Sequence, residues 1–160
     1  MKIILLLAVL NFSQIFSQDN LPKISLKNNF GKSIAISEID TKTVTVFSFW
    51  ATWCIPCLNE LDAISEIYDD WQNETNVKII AVSIDDTRSA SRVKPLANSK
   101  NWEYEILFDT NQEFKRAVNA TSIPYLIIVK NNKIVYSHSG YTQGSEIELY
   151  EKIKEFAYKN

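Results

Sequence analysis

Residues 47–61 read Phe47-Ser48-Phe49-Trp50-Ala51-Thr52-Trp53-Cys54-Ile55-Pro56-Cys57-Leu58-Asn59-Glu60-Leu61. The run leading into this stretch, Thr43 to Phe49, is β-branched and aromatic, the composition of a buried strand. From Pro56 the apolar period lengthens, and Cys57, Leu61, Ile64, Tyr68 and Trp71 mark one helical face. The chain's two cysteines therefore fall where a buried strand turns into a helix.

That placement has chemical consequences. The free N–H groups and positive dipole end of a helix N-terminus stabilise a thiolate at Cys54. A free thiol titrates near ~8.5, and such positions lower it to roughly 3.5–7.5, which makes Cys54 a nucleophile at neutral pH. Cys57, one turn further on, is placed to attack a mixed disulfide formed at Cys54. Pro56 fits the first helical turn, where its missing N–H costs nothing. As a purely structural staple the pair is poor. A loop this short restrains the unfolded chain by roughly 2 kcal/mol, against about 4.7 for a 100-residue loop. As a metal site it offers two soft ligands with only His138 as a third, some 80 residues away in sequence. Redox chemistry is the favoured reading of the motif.

Outward from the motif the elements alternate as in an α/β domain. Pro22 to Leu26 and Lys32 to Ser37 read as two short strands joined at Asn28-Asn29-Phe30-Gly31. Val77 to Ile84 is the next strand, followed by a helical stretch over about Ser89 to Ser99 that Pro95 should interrupt or kink. Glu105 to Phe108 reads as a strand and Gln112 to Val118 as a short helix. Leu126 to Lys130 and Lys133 to Ser137 form a hairpin across Asn131-Asn132. A last helix runs from about Glu146 to Tyr158, with Ser145 and Glu148 fitting a capping box. The order predicts a mixed central sheet covered on both faces.

The 160 residues are 46% hydrophobic and 22% charged with a net charge of −2, which leaves no basic footprint for nucleic acid. Two Cys and one His cannot build a four-ligand zinc site, so no metal is expected. Met1-Lys2 followed by the apolar run Ile3 to Leu10 matches a secretory signal, cut most plausibly after Ser17. Residues 1–17 are thus expected to be a leader and residues 18–160 one exported, soluble domain. Outside the cytosol a structural bridge is the first alternative to weigh for any cysteine pair.

The segment from Phe47 to Leu61 resembles the thioredoxin superfamily, specifically the exported thiol–disulfide oxidoreductases of the TlpA/ResA type. Thr121-Ser122-Ile123-Pro124 resembles the family's cis-proline loop, and Asn131 to Val135 with Gly140 its final hairpin. The resemblance covers Leu21 to Tyr158 and implies a thioredoxin fold with an added N-terminal β-hairpin. It implies that Cys54 attacks the substrate disulfide and Cys57 resolves it. Pro124 would be cis and face the cysteines, and Ile123 would offer backbone hydrogen bonds to an extended substrate. Trp53 would add apolar contact surface beside the Ile55-Pro56 dipeptide, whereas Trp50 reads equally as core or site.

Glu60 lies three residues after Cys57 on the same side of the helix. Where cytosolic thioredoxins carry a buried acid in the preceding strand, this chain has Ser48. The resemblance implies that Glu60 takes over as the group that exchanges protons with the thiols, and a partly buried carboxylate there should have a raised pKa. Its bland alternative is a solvated helix glutamate. His138, the single histidine, reads as a surface or strand-end residue; Asp69-Asp70 and Lys152, Lys154 and Lys159 read as solvated helix faces.

The expected activity is reduction of disulfides in exported proteins, apocytochrome c among the possible substrates, with a membrane thiol donor and no dissociable cofactor beyond the Cys54–Cys57 pair. An oxidase or isomerase on the same fold is the nearest alternative, since Ile55-Pro56 does not set the redox direction. A peroxidase would need Pro at position 47 and Ser or Thr at position 51, where this chain has Phe47 and Ala51. A non-catalytic copper- or thiol-binding module is the alternative from outside enzymology.

Overall fold

The computed structural model describes residues 20–159; the expected leader, residues 1–17, lies outside them. The strands are β1 (Ser25–Asn28), β2 (Ser33–Ala35), β3 (Thr45–Trp50), β4 (Lys78–Ser83), β5 (Glu105–Phe108), β6 (Tyr125–Lys130) and β7 (Lys133–Ser139). The helices are α1 (Ile55–Ser65), α2 (Tyr68–Thr75), α3 (Val93–Ser99), α4 (Glu113–Ala117) and α5 (Ser145–Tyr158). All seven strands form one sheet in the order β2-β1-β5-β4-β3-β6-β7. β3, β4 and β5 run parallel, and β1, β6 and β7 join antiparallel to their inner neighbours. This is the mixed central sheet that the element order predicts, with the thioredoxin-like arrangement and added N-terminal hairpin that the family resemblance implies.

β3 sits inside the sheet and is buried along its whole length, so alternation decides which layer each side chain serves. Phe47 and Phe49 point to one face and meet Phe114 of α4 edge-on, with ring centroids 5.3 and 5.0 Å away. Ser48 and Trp50 point to the other face. There Trp50 packs edge-on against Trp102, and α1 is tied to the segment after α3 through Trp102 Nε1 to Asp62 and Tyr104 Oη to the Leu61 carbonyl.

The turns form for the expected reasons. Asn28 Oδ1 accepts from the N–H groups of Phe30 and Lys32, and Gly31 supplies a φ of 74°. Asn131 and Asn132 both adopt positive φ, the geometry of a tight hairpin turn.

Four expectations are corrected. The first hairpin is shorter than its pattern, because β2 gives way to a 3-10 turn over Ile36–Glu38. The single apolar stripe from Cys57 to Trp71 spans two helices, since Ile67 leaves helical geometry at φ −127°. The break re-aims α2 so that Trp71 stacks flat on Tyr150 of α5 and the Tyr68 hydroxyl accepts from the Ile79 N–H. Pro95 produces no kink, because α3 starts at Val93 and places the proline in the first turn, where no N–H is required. The capping box at Ser145 does not form. Gly144 is the N-cap, and it is the carboxylate of Glu146, not Glu148, that reaches back to accept from the Gly144 N–H and the Tyr141 hydroxyl.

Candidate active site

The chain leaves the end of β3 at Trp50, crosses Ala51 to Trp53, and enters α1 with Cys54 as its N-cap. Cys54 Sγ accepts from the Cys57 N–H at 3.3 Å, so the helix caps itself on the sulfur that sequence analysis assigns as the nucleophile. Pro56 sits in the first turn of the helix. Cys54 and Cys57 form a disulfide. Cys57 is fully buried, while Cys54 is 6% exposed. The rim is apolar and open: Trp53 is 64% exposed and Ile55 70% exposed on either side of Cys54. An open groove bounded by Trp53, Ile84, Arg88 and Gln112 extends from that rim.

The Ile123–Pro124 bond is cis. β6 pairs with β3 in a register that sets Phe49 opposite Tyr125, so the segment ending at Pro124 lies at the same end of the sheet as the cysteines. Pro124 is buried and its carbonyl accepts from the Gly140 N–H at 2.8 Å, while Ile123 stays half-exposed. Trp50, read equally as core or site, is core: it is fully buried against Trp102.

One turn after Cys57 on α1 lies Glu60, 3% exposed, with Ser48 Oγ donating to its Oε2 at 3.0 Å. The solvated-glutamate alternative is therefore excluded by position. Burial pushes its carboxyl up to about 7, and the single hydrogen bond from Ser48 offsets only part of that. A carboxyl poised near neutrality can take or give a proton at working pH.

Sequence reasoning missed Asp85. It is fully buried and accepts from Thr52 N (2.9 Å), Thr52 Oγ1 (2.6 Å) and Ser83 Oγ (2.9 Å), pinning the loop that carries Trp53 and Cys54. Only a pattern linking Thr52 to an acid after β4 could have signalled it, and a single sequence contains none. His138 lies at the end of β7 as expected, half-buried, and there it lines a small cavity with Glu60. The other charged stretches are solvated as expected, with Lys152 and Lys154 paired to Glu155 and Glu151. Among the described residues no three His, Cys, Asp or Glu side chains converge as a metal site.

Fold and site together define a thioredoxin-like protein with a CxxC redox pair, the equipment of a thiol–disulfide oxidoreductase. Residues 17–138 match the model of the AhpC/TSA family, and the chain belongs to that family. It is 29% identical over 123 residues to the thiol-disulfide oxidoreductase ResA of Bacillus thuringiensis (strain Al Hakam), covering 76% of this chain and 69% of that protein. A thioredoxin-like protein from Porphyromonas gingivalis, solved in solution, is 51% identical with a TM-score of 0.77, covering 86% of this chain and 91% of the other. StoA from Bacillus subtilis shares the fold at 20% identity, with a TM-score of 0.63 and coverage of 81% and 99%.

Proposed function

We propose that this protein reduces disulfides in exported proteins through the Cys54–Cys57 dithiol and is recharged by a membrane thiol donor. The observation that carries this reading is the arrangement around α1. A nucleophile stands at the helix N-cap under an open apolar rim, with its resolving partner fully buried one turn on and Glu60 buried behind both. Cys54 as thiolate attacks the client disulfide, and Cys57 displaces the client from the mixed disulfide. Glu60 takes the Cys57 proton, and the Cys54–Cys57 disulfide is left behind. Trp53, Ile55 and the Ile123 backbone form the surface on which an extended client segment lies. The redox centre is this cysteine pair itself, with no dissociable cofactor. Apocytochrome c is one client class of suitable chemistry.

Location in the cell envelope is part of the same proposal, supported by the apolar run behind Lys2. Among the described residues no helix is long and apolar enough to cross a membrane. The direction of electron flow is tested by the reduction potential of the Cys54–Cys57 pair. Thioredoxin-like reductants lie near about −270 mV and the strong oxidant DsbA near about −120 mV. A value at the reductant end is expected; one at the oxidant end would turn the chain into an oxidase. Cys54→Ser is expected to abolish insulin reduction in the presence of dithiothreitol.

A further inference from the structure

Glu60 must lose the proton it receives from Cys57 before the next cycle, and it is itself only 3% exposed. The two cysteines at the start of its helix are also closed off, Cys57 fully buried and Cys54 6% exposed. Behind it the sheet offers another way. Ser48 of β3 pairs with Leu126 of β6, and Leu126 pairs with His138 of β7. Residues directly opposite one another across strands share a face, so Ser48, Leu126 and His138 form one row beneath α1 and α5. Strand spacing puts the two ends of that row about 10 Å apart. Glu60 reaches down onto Ser48 at the inner end, and the imidazole stands at the outer end. Between them Glu60 and His138 line one cavity together with Leu126, Tyr136, Glu146 and Glu148. It leaves about 10 Å³ for the centre of a water, room for roughly one molecule.

The geometry points to His138 as the positioning residue that carries protons between Glu60 and bulk water through this rear cavity. The inference rests on the proposed role of Glu60. A neutral imidazole accepts at one ring nitrogen while donating at the other, so it passes a proton without storing charge. Its neighbours are less suited. Glu146 is held by the Gly144 N–H and the Tyr141 hydroxyl, and Glu148 is exposed on α5. Lys152 lies over the Tyr136 ring rather than in the row. On the far side of Glu60 stands Tyr104, whose hydroxyl is committed to the Leu61 carbonyl.

The step balances. The Cys54 thiolate attacks one sulfur of the client disulfide and the other leaves as a thiolate. The Cys57 Sγ–H proton passes to the Glu60 carboxylate, and the Cys57 thiolate attacks Cys54 Sγ, releasing the second client thiolate. Two electrons have moved from the protein dithiol to the client. The Glu60 proton then moves through the cavity water to one His138 nitrogen while the other nitrogen releases its proton to solvent, where the client thiolates take up protons.

The test is stopped-flow oxidation of the reduced full chain by a small aromatic disulfide, followed by tryptophan fluorescence in dilute buffer across the neutral pH range. His138→Val and His138→Gln are both expected to slow about tenfold the proton release that follows resolution, read with a pH indicator in the same mixture, less than the ~10²–10⁴ lost with a direct general base. Both are expected to displace the pH profile, and added imidazole buffer should restore the rate. Glutamine keeps polarity and volume but cannot exchange a proton, so wild-type behaviour of His138→Gln beside a slow His138→Val would reduce His138 to a packing role and overturn the inference. Wild-type rates and profiles in both variants, with Glu60→Gln altered, would overturn it while leaving Glu60 in place. An unaltered Glu60→Gln profile would remove Glu60 and the relay together.

Discussion

Two carboxylates are buried next to the elements that carry the disulfide, Asp85 against the loop before Cys54 and Glu60 on the helix that Cys54 caps, and their surroundings differ. Asp85 receives the Thr52 N–H and the hydroxyls of Thr52 and Ser83, with its own N–H donating to Ser83 Oγ. Glu60 receives one hydroxyl, from Ser48. A buried carboxylate with several donors can hold a loop in place through them, whereas Glu60, with a single donor, is made easier to protonate by its burial. The first acid shapes the loop that presents Cys54; the second is left able to change its charge. Burial alone does not mark a functional acid, and the number of donors around it separates the two roles.

The contrast can be broken most forcefully at Asp85. Asp85→Ala leaves the Thr52 N–H and two hydroxyls without their acceptor, and a loss of about 4 kcal/mol in unfolding free energy is expected. Urea midpoints at neutral pH measure it, and a loss under 1 kcal/mol would show that the loop is not pinned there.

Glu60→Gln comes next and has the opposite sign. Folding raises the Glu60 pKa from 4.5 to about 7, so the folded chain binds this proton more tightly than the unfolded one. The associated stability is fully present below pH 4.5 and is lost as pH rises through about 7. Over that window the wild-type oxidised protein should lose about 3 kcal/mol from this group. The glutamine variant should lack that slope and be the more stable of the two at alkaline pH. The same substitution should slow disulfide exchange and flatten its pH dependence near neutrality.

Ser48→Ala sharpens the comparison by taking away the one donor that Glu60 has. A hydrogen bond to a charged group contributes about 1.5 kcal/mol, so the carboxyl should titrate roughly one unit higher, read as an upward move of the pH–rate midpoint. The smallest effect on stability is expected at the rim. Trp53→Ala removes a side chain that is 64% exposed, so the unfolding free energy should stay within about 0.5 kcal/mol of wild type. The KM for a protein disulfide should rise several-fold with little change in kcat, as for a group that binds client rather than reacts with it.

Much of the site is legible in the sequence because its parts lie on one short segment. Cys54, Pro56, Cys57 and Glu60 recur at single-turn spacings, and a helix places such residues by its own geometry. Asp85 and Thr52 are 33 residues apart, and His138 meets the Glu60 cavity from the far end of the chain. No local pattern announces either meeting. The sequence also misjudges the break at Ile67 and the cap at Gly144, where aromatic stacking and a neighbouring tyrosine outweigh local preference.

By itself the sequence determined the strand-to-helix entry into the CxxC pair, the order of strands and helices, and the acid one turn behind the second cysteine. All three follow from period and from contacts within a few residues. Tertiary structure alone decided that Trp50 is core, that Asp85 is an anchor, and that Glu60 has one donor and a histidine at its back. Those outcomes depend on which strands become neighbours and in what register. Register is set by the packing of the whole sheet, where chain-distant side chains first come within hydrogen-bonding distance.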